Sequence, residues 1–252
     1  MLRNIPANHP RVRSLQIREH LVEGFRNDIV VEEGLIAHGR GEGFDYLIGE
    51  ITTKEALEAM KSAVALIMLA ERPVISINGN TACLCANEVV KLAELTGARI
   101  EVNLFYRKFE RELAIEKLLK TSGAKKVYGV GSRASETIPE LMSERRRVDP
   151  DGIYTADVVL VPLEDGDRTE ALVKMGKKVV AIDLNPLSRT SQKATITIVD
   201  NVVRAMPKMV ELANQFARLQ KSKLQELAHG FDNSKNLQMS LQHILRGLKS
   251  RD

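Results

Sequence analysis

The chain predicts an α/β fold with a doubly wound, mostly parallel sheet, on three observations. Short apolar runs alternate with helical stretches through the middle of the sequence. Several runs are apolar throughout, as expected for parallel strands covered on both faces. Polar residues crowd the positions just past the runs, where strand ends and the free N–H groups of helix N-termini meet ligands in such sheets.

Each element can be justified in order. The first third reads as helical, in PRVRSLQIREHLVEGFRN and in TTKEALEAMKSAVALIMLAERP, with Thr52 or Thr53 as a cap. Between them EEGLIAHGRGEGFDYLIGE looks less regular, because glycine and charge interrupt any periodicity. VISI (74–77) ends in Asn78-Gly79-Asn80 and is followed by the helical NEVVKLAELTG. RIEVNLF (99–105) leads into the helical RKFERELAIEKLLKTSG. KKVYGV (125–130), DVVLVPL (157–163), KKVVAI (177–182) and TITIV (195–199) complete the strands. Residues 204–252 show apolar positions at helical spacing, among them Met206, Val210, Ala213 and Phe216. No linker, repeat or low-complexity stretch divides the chain. It is therefore read as one α/β domain over 1–252, with a mainly helical part at 1–72 and a helical segment at 204–252.

Composition removes several function classes. With 252 residues and 44% apolar content a sizeable core is available. The formal net charge is only +4, which does not mark a nucleic-acid binder. The basic tail reads as helices packed on the sheet or on a second subunit, with a solvated outer face. The longest apolar stretch, Ala63 to Ala70, falls far short of the ~20 residues that span a bilayer. The N-terminus has no secretory pattern, and Cys83 and Cys85 are poorly spaced for a disulfide framework. The expectation is a cytoplasmic chain that engages neither membrane nor nucleic acid, with both cysteines as small buried hydrophobes.

Four segments carry candidate chemistry. DLNPLSRT (183–190), directly after a strand, offers a carboxylate, an amide, a guanidinium and two hydroxyls, more than a turn needs. EDGDRTEALVKMG (164–176) reads as a helix capped by Asp167 with Glu170 three residues on, and ended by Gly176. Capping leaves Glu164, Asp165 and Arg168 unexplained. A nucleotide-bound Mg²⁺ needs one or two carboxylates plus waters, so Glu164 and Asp165 are the metal candidates. HGRGEGFDYLIGE (38–50) places glycines around His38, Arg40, Glu42 and Asp45, allowing close backbone approach to a ligand and a two-pronged Arg40 grip on phosphate or carboxylate. GVGSRA (129–134) matches the G-x-G-x-x-A dinucleotide fingerprint through Gly129, Gly131 and Ala134, with Asp149 twenty residues on. Asp149 sits in a charged turn and the following SRASETIP makes a poor helix, so the fingerprint lacks its usual context.

The blocks IPANHPRVRSLQIRE, GLIAHGRGEGFDYLIGE, PVISINGN, ADVVLVPLEDGDRTEALVKMGKKVVAIDLNPLSRT and ATITIVDNVVRAMP together resemble the archaeal 4-phosphopantoate–β-alanine ligases, or phosphopantothenate synthetases. The resemblance covers about residues 4 to 215, and GVGSRAS departs from it. It implies a Rossmann-like core, a homodimer, and an ATP- and Mg²⁺-dependent ligase of coenzyme A biosynthesis. Such an enzyme joins 4-phosphopantoate to β-alanine and releases AMP and pyrophosphate. It also implies ATP contacts at Arg18, Arg40, Asp183, Leu184, Asn185, Arg189, Thr190, Asn201 and Val202.

Within that reading the carboxylate of the acid attacks the α-phosphorus, and the amine then displaces AMP, so no enzyme nucleophile is required. Arg40 is the candidate for phosphate stabilisation, with His38 and Glu42 beside it as catalytic candidates. Either of these, or Asp45, would take the ammonium proton. Asn78, Asn80, Asp45, Arg107 and Arg168 are the positions expected to meet the second substrate. The rival readings are a nicotinamide-dependent oxidoreductase built on Gly129, Gly131 and Ala134, a nucleotide-binding protein without activity, and a nucleic-acid binder that uses the basic tail.

Overall fold

The computed structural model describes residues 6, 8, 9 and 11–249, so the outermost residues of both predicted helical ends lie outside it. Three helices come first: α1 (Val12–Arg26), α2 (Glu32–Leu47) and α3 (Lys54–Leu69), the last capped by Thr53, whose hydroxyl accepts from Ala56 N. Then strands and helices alternate as β1 (Pro73–Ile77), α4 (Gly79–Thr96), β2 (Arg99–Val102) and α5 (Phe109–Thr121). A small antiparallel pair, β3 (Glu136–Thr137) and β4 (Arg147–Val148), interrupts the alternation. It resumes with β5 (Val158–Pro162), α6 (Gly166–Lys174), β6 (Lys178–Ile182), α7 (Arg189–Lys193) and β7 (Ile196–Ile198). Helices α8 (Val202–Phe216), α9 (Lys221–His229) and α10 (Asn233–Lys249) follow.

The sheet is a five-stranded parallel one in the order β2-β1-β5-β6-β7. The chain winds outward from β1 to β2, then returns to place β5 on the other side of β1. The order therefore reverses between β1 and β5, where open α/β sheets leave a crevice beyond their carboxyl ends. Asn78 spans that point, its Nδ2 donating to Pro162 O at 2.8 Å and Leu163 O at 3.0 Å.

Alternation along the strands feeds two cores. Ile75, Ile77, Leu160, Val180 and Ile182 pack with residues of α3, α4 and α8, while Val74, Val159, Val161, Val179 and Ala181 pack with α6 and residues 138–156. Burying each such side chain contributes about 1.5–3 kcal/mol before chain entropy is set against it, so continuous apolar runs are held in the middle of the sheet.

Three expectations change. Lys125–Val130 is not a strand: only Tyr128 bridges to Glu101, and Gly129, at φ +76°, turns the chain away. Residues 32–47 are helix despite their glycines, which each cost about 1 kcal/mol of helix propensity; tertiary contacts hold α2 in place. Asp167 is not the cap of α6. Asp165 holds that position, without a side-chain capping bond. The predicted stop is present, since Gly176 has φ +79° and the bonds Gly176 N to Val173 O and Lys177 N to Leu172 O close a Schellman motif.

The C-terminal helices pack on the sheet. Thr197 N donates to Asn233 Oδ1 at 2.8 Å and Asn236 Nδ2 donates to Thr197 O at 2.9 Å, so amides of α10 satisfy the free edge of β7. No helix among the described residues is long and apolar enough to cross a membrane.

Candidate active site

A cavity of about 570 Å³ lies over the carboxyl ends of the strands, within the roughly 300–1,000 Å³ typical of ligand pockets. Its floor is Asn78–Asn80 after β1, Leu163–Gly166 after β5, Asp183–Thr190 after β6, and Asn201 with Val202 after β7. Its roof is α2, which contributes Gly34, His38, Arg40, Gly41 and Glu42. The sequence expects residues 78–80, 164–169 and 183–190 at these strand ends; parts of all three line the cavity, while Asp167, Arg168 and Thr169 do not.

Two glycines set the close packing here. A Cβ at Gly79 would lie 2.2 Å from the carbonyl oxygen of Ile29, so the turn after β1 admits no side chain. A Cβ at Gly34 would lie 2.5 Å from Asn80 Oδ1, and Asn80 Nδ2 donates to Gly34 O at 2.8 Å. Asn80 therefore ties the roof to the sheet.

The side of the cavity near β1 and β5 is cationic, through residues the sequence reading missed. Arg145, buried, reaches Glu164 at 2.7 Å and Asp165 Oδ2 at 2.9 Å. Arg111 donates through Nη2 to Ile29 O at 3.0 Å and through Nη1 to Tyr106 O, while its buried Nε has no partner. Burial pulls the Arg111 guanidinium below its ordinary pKa. Arg111 lines the cavity beside Arg145, so this wall presents guanidinium groups suited to an anion.

Arg168 stands behind that wall. It is fully buried, pairs with Glu164, and donates to Ser76 Oγ at 3.1 Å, so no substrate reaches it. Arg107 is also withdrawn, paired with Glu112 and donating to Arg147 O at 3.1 Å. Both were expected at the second substrate, and both serve the scaffold; Arg111 and Arg145 line the cavity instead.

The metal candidates separate in the same way. Glu164 has both carboxylate oxygens engaged, by Arg145, Arg168 and the backbone N–H of Asp165 at 2.8 Å. Asp165 lines the cavity with Oδ2 ion-paired to Arg145 Nε at 2.9 Å, making no hydrogen bond to a described residue, and its carboxyl is pushed up, mainly by burial. The described residues contain no group of three or more His, Cys, Asp or Glu able to hold a metal alone. The donor set fits an ion that arrives with nucleotide phosphates and waters and takes one protein carboxylate, Asp165.

The β6 side is built differently. Much of DLNPLSRT is occupied in folding itself: Asn185 N donates to Asp183 Oδ1 at 2.9 Å, Leu187 N to Asn185 Oδ1 at 2.9 Å, and Ser188 caps α7 by accepting from Ser191 N at 2.9 Å. Burial raises the Asp183 carboxyl, with the Ser188 hydroxyl and Asn185 N–H opposing it. The Thr190 hydroxyl donates to Glu164 O at 2.9 Å, stitching this loop to the β5 end. Asn185 lines the cavity, and its Nδ2 makes no hydrogen bond to a described residue. Leu184 packs with Ile48 and Ile244 beneath the roof. Arg189 pairs with Asp167 at the exposed lip.

On the roof, Arg40 lines the cavity and makes no hydrogen bond or ion pair with a described residue. His38 is half-buried with Nε2 making no hydrogen bond to a described residue, and desolvation lowers its pKa, leaving a neutral imidazole at pH 7. Glu42 is gripped by Arg18 through Nε at 3.0 Å and Nη2 at 2.7 Å. Arg18 does not line the cavity. Nor does Asp45, which is buried behind α2 and accepts from Arg204 and Asn201.

The rival motifs lose their geometry. Gly129 precedes, and Gly131 begins, a single 3₁₀ turn, and buried Asp149 accepts from Gly129 N at 3.1 Å, stapling its own loop. Burial pushes the Cys83 thiol up to about 11 and Cys85 higher still, which fits inert thiols.

Residues 55–247 match the profile of the phosphopantothenate/pantothenate synthetase family. The chain is 52% identical over 242 residues to the 4-phosphopantoate–β-alanine ligase of Thermococcus kodakarensis, covering 96% of this chain and 92% of that one. The ligase of the same name from Methanosarcina mazei is 53% identical over 247 residues, covering 98% and 96%. That from Methanospirillum hungatei is 51% identical over 226 residues, covering 90% and 91%.

Proposed function

Because this chain belongs to the phosphopantothenate/pantothenate synthetase family, a family of carbon–nitrogen ligases, we propose that it joins 4-phosphopantoate to β-alanine at the expense of ATP, through an acyl-adenylate. One observation carries the reading: a single cavity sets Asp183–Thr190 opposite Arg111 and Arg145, under a roof bearing the unpaired Arg40. The difficulty in this reaction is negative charge, since a triphosphate, a phosphate ester and a carboxylate must meet. Two separated cationic regions in one cavity answer that difficulty.

In the proposed arrangement the nucleotide lies along the β6 and β7 ends, against Asp183, Leu184, Asn185, Asn201 and Val202. Arg40, Arg189 and Thr190 face its phosphates. Asp165 would hold a Mg²⁺ ion arriving with the phosphates, which would supply charge neutralisation there. The phosphate ester of the acid takes Arg111 and Arg145, beside Asn78 and Asn80. Its carboxylate oxygen attacks the α-phosphorus and pyrophosphate leaves. The amine of β-alanine then attacks the acyl carbon and AMP leaves. His38, neutral, accepts the ammonium proton; Glu42 is held by Arg18 and serves to fix the roof.

The test is to supply ATP, Mg²⁺, 4-phosphopantoate and β-alanine, then follow the nucleotide products. AMP and pyrophosphate should form only when acid and amine are both present. Labelled pyrophosphate should exchange into ATP with the acid alone. ADP and phosphate instead would replace the adenylate by an acyl phosphate, and no ligated product would overturn the function.

A further inference from the structure

Arg204, in the first turn of α8, does not line the cavity, yet its guanidinium holds two buried carboxylates, one on α2 and one just ahead of α8. Its Nη1 and Nη2 grip the two oxygens of Asp45 on α2 at 3.1 and 2.6 Å. Its Nε donates to Asp200 Oδ1 at 2.8 Å, and Asp200 Oδ2 accepts from Thr52, ahead of α3, at 2.6 Å. Asp45 takes a third bond, from Asn201 Nδ2 at 2.7 Å, while Asn201 Oδ1 accepts from Val203 N at 3.3 Å. Asp45, Asp200 and Asn201 are all buried.

The consequence is mechanical. Helix α2 carries Arg40 and His38 but is weak on its own, with glycine at 34, 39, 41 and 43. Its N-terminal half is held by Asn80 and its outer side by Arg18. Its C-terminal half is held from α8 by the Asp45 bonds. The same bonds orient Asn201, which borders the cavity. We propose that Arg204 is a positioning residue, locking the roof helix and the Asn201 end of α8 into one arrangement for the nucleotide. The inference rests on the reaction proposed above.

If the lock goes, ATP binding must itself select the closed roof, and apparent affinity falls by the closed fraction. Arg204→Gln should raise the KM for ATP about tenfold while kcat at saturating ATP stays within about threefold. Hydrogen exchange of the α2 amides should quicken without ATP and recover at saturating ATP, while β1, β5 and β6 stay protected. Arg204→Lys, which keeps the charge but not the two-pronged grip, should fall between the two. An unchanged KM in a folded variant overturns the proposal, as does a loss of kcat accompanied by faster exchange across the whole sheet. Should Arg204→Gln fail to fold, Asp45→Asn leaves the Arg204–Asp200 pair intact and should show the same KM shift. Should the parent protein prove inactive with these substrates, the reaction reading fails; exchange of α2 with and without ATP then decides Arg204 separately, no difference between parent and variant overturning it.

Discussion

The two halves of the cavity use opposite materials. On the β1–β5 side the charges are buried and partnered: Arg145 and Arg168 share Glu164, and Arg111 is anchored on carbonyl oxygens. On the β6–β7 side the loop is a web of hydrogen bonds around the Asp183 carboxyl and Ser188 with no ion pair inside it, and the cations near it, Arg40 and Arg189, are solvent-exposed. A buried guanidinium has already lost its water and reorganises little when an anion arrives. An exposed one must be recruited, but the fold does not depend on it. Stability and activity should therefore fall together on the first side and separate on the second.

Arg145→Ala is the strongest way to test that difference. It leaves the buried Glu164 with Arg168 alone and strips Asp165 of its ion pair. Removing one partner of a buried pair typically costs 3–5 kcal/mol, so denaturant unfolding should show a loss of about that size together with lost turnover. A stable, inactive Arg145→Ala protein would mean that the cationic wall is not part of the scaffold. Arg40→Ala comes next. With no hydrogen bond or ion pair to a described residue to lose, only its charge acting on Asp183, it should change stability by no more than about 1 kcal/mol. Turnover should fall at least ~100-fold, the usual effect of removing a group aimed at developing charge. A melting temperature that dropped with activity would erase the distinction between the two sides.

Legibility followed the same division. The β6 loop was readable because its signal is local: an apolar run stops and five polar side chains follow within eight residues. The sheet was readable for the same reason, apart from Lys125–Val130, whose Gly129 ends pairing after one bridge. Helix α2 was not, since its glycines argue against a helix and its support comes from Asn80, Arg18 and Arg204, distant in sequence. Arg145 sits in a run of arginines that looks like a solvated turn, and only its partner nineteen positions away makes it buried. Arg111 did leave a trace. It shares the buried stripe of α5 with Ile115 and Leu119 at four-residue spacing, where an arginine needs a reason.

The smallest expected effect concerns Glu101, beneath the β1–β5 side. Its carboxylate accepts from Asp149 N at 3.1 Å and Ile153 N at 2.6 Å. Burial nevertheless raises its pKa from 4.5 to about 7, against those two bonds and the nearby Arg168. A carboxyl held above its unfolded value keeps its proton in the native state after the unfolded chain has released it. Its stabilising contribution is thus complete below about pH 4.5 and is lost as pH rises through about 7. Between pH 5 and pH 7 that loss amounts to about 2 kcal/mol. Glu101→Gln, neutral throughout, should lack this slope, so urea titrations at successive pH values should show the variant gaining on the parent as pH rises. Parallel curves would mean that Arg168 and the backbone N–H groups already keep Glu101 ionised. The β1–β5 side would then hold balanced charge, and its difference from the β6–β7 side would shrink to one of exposure.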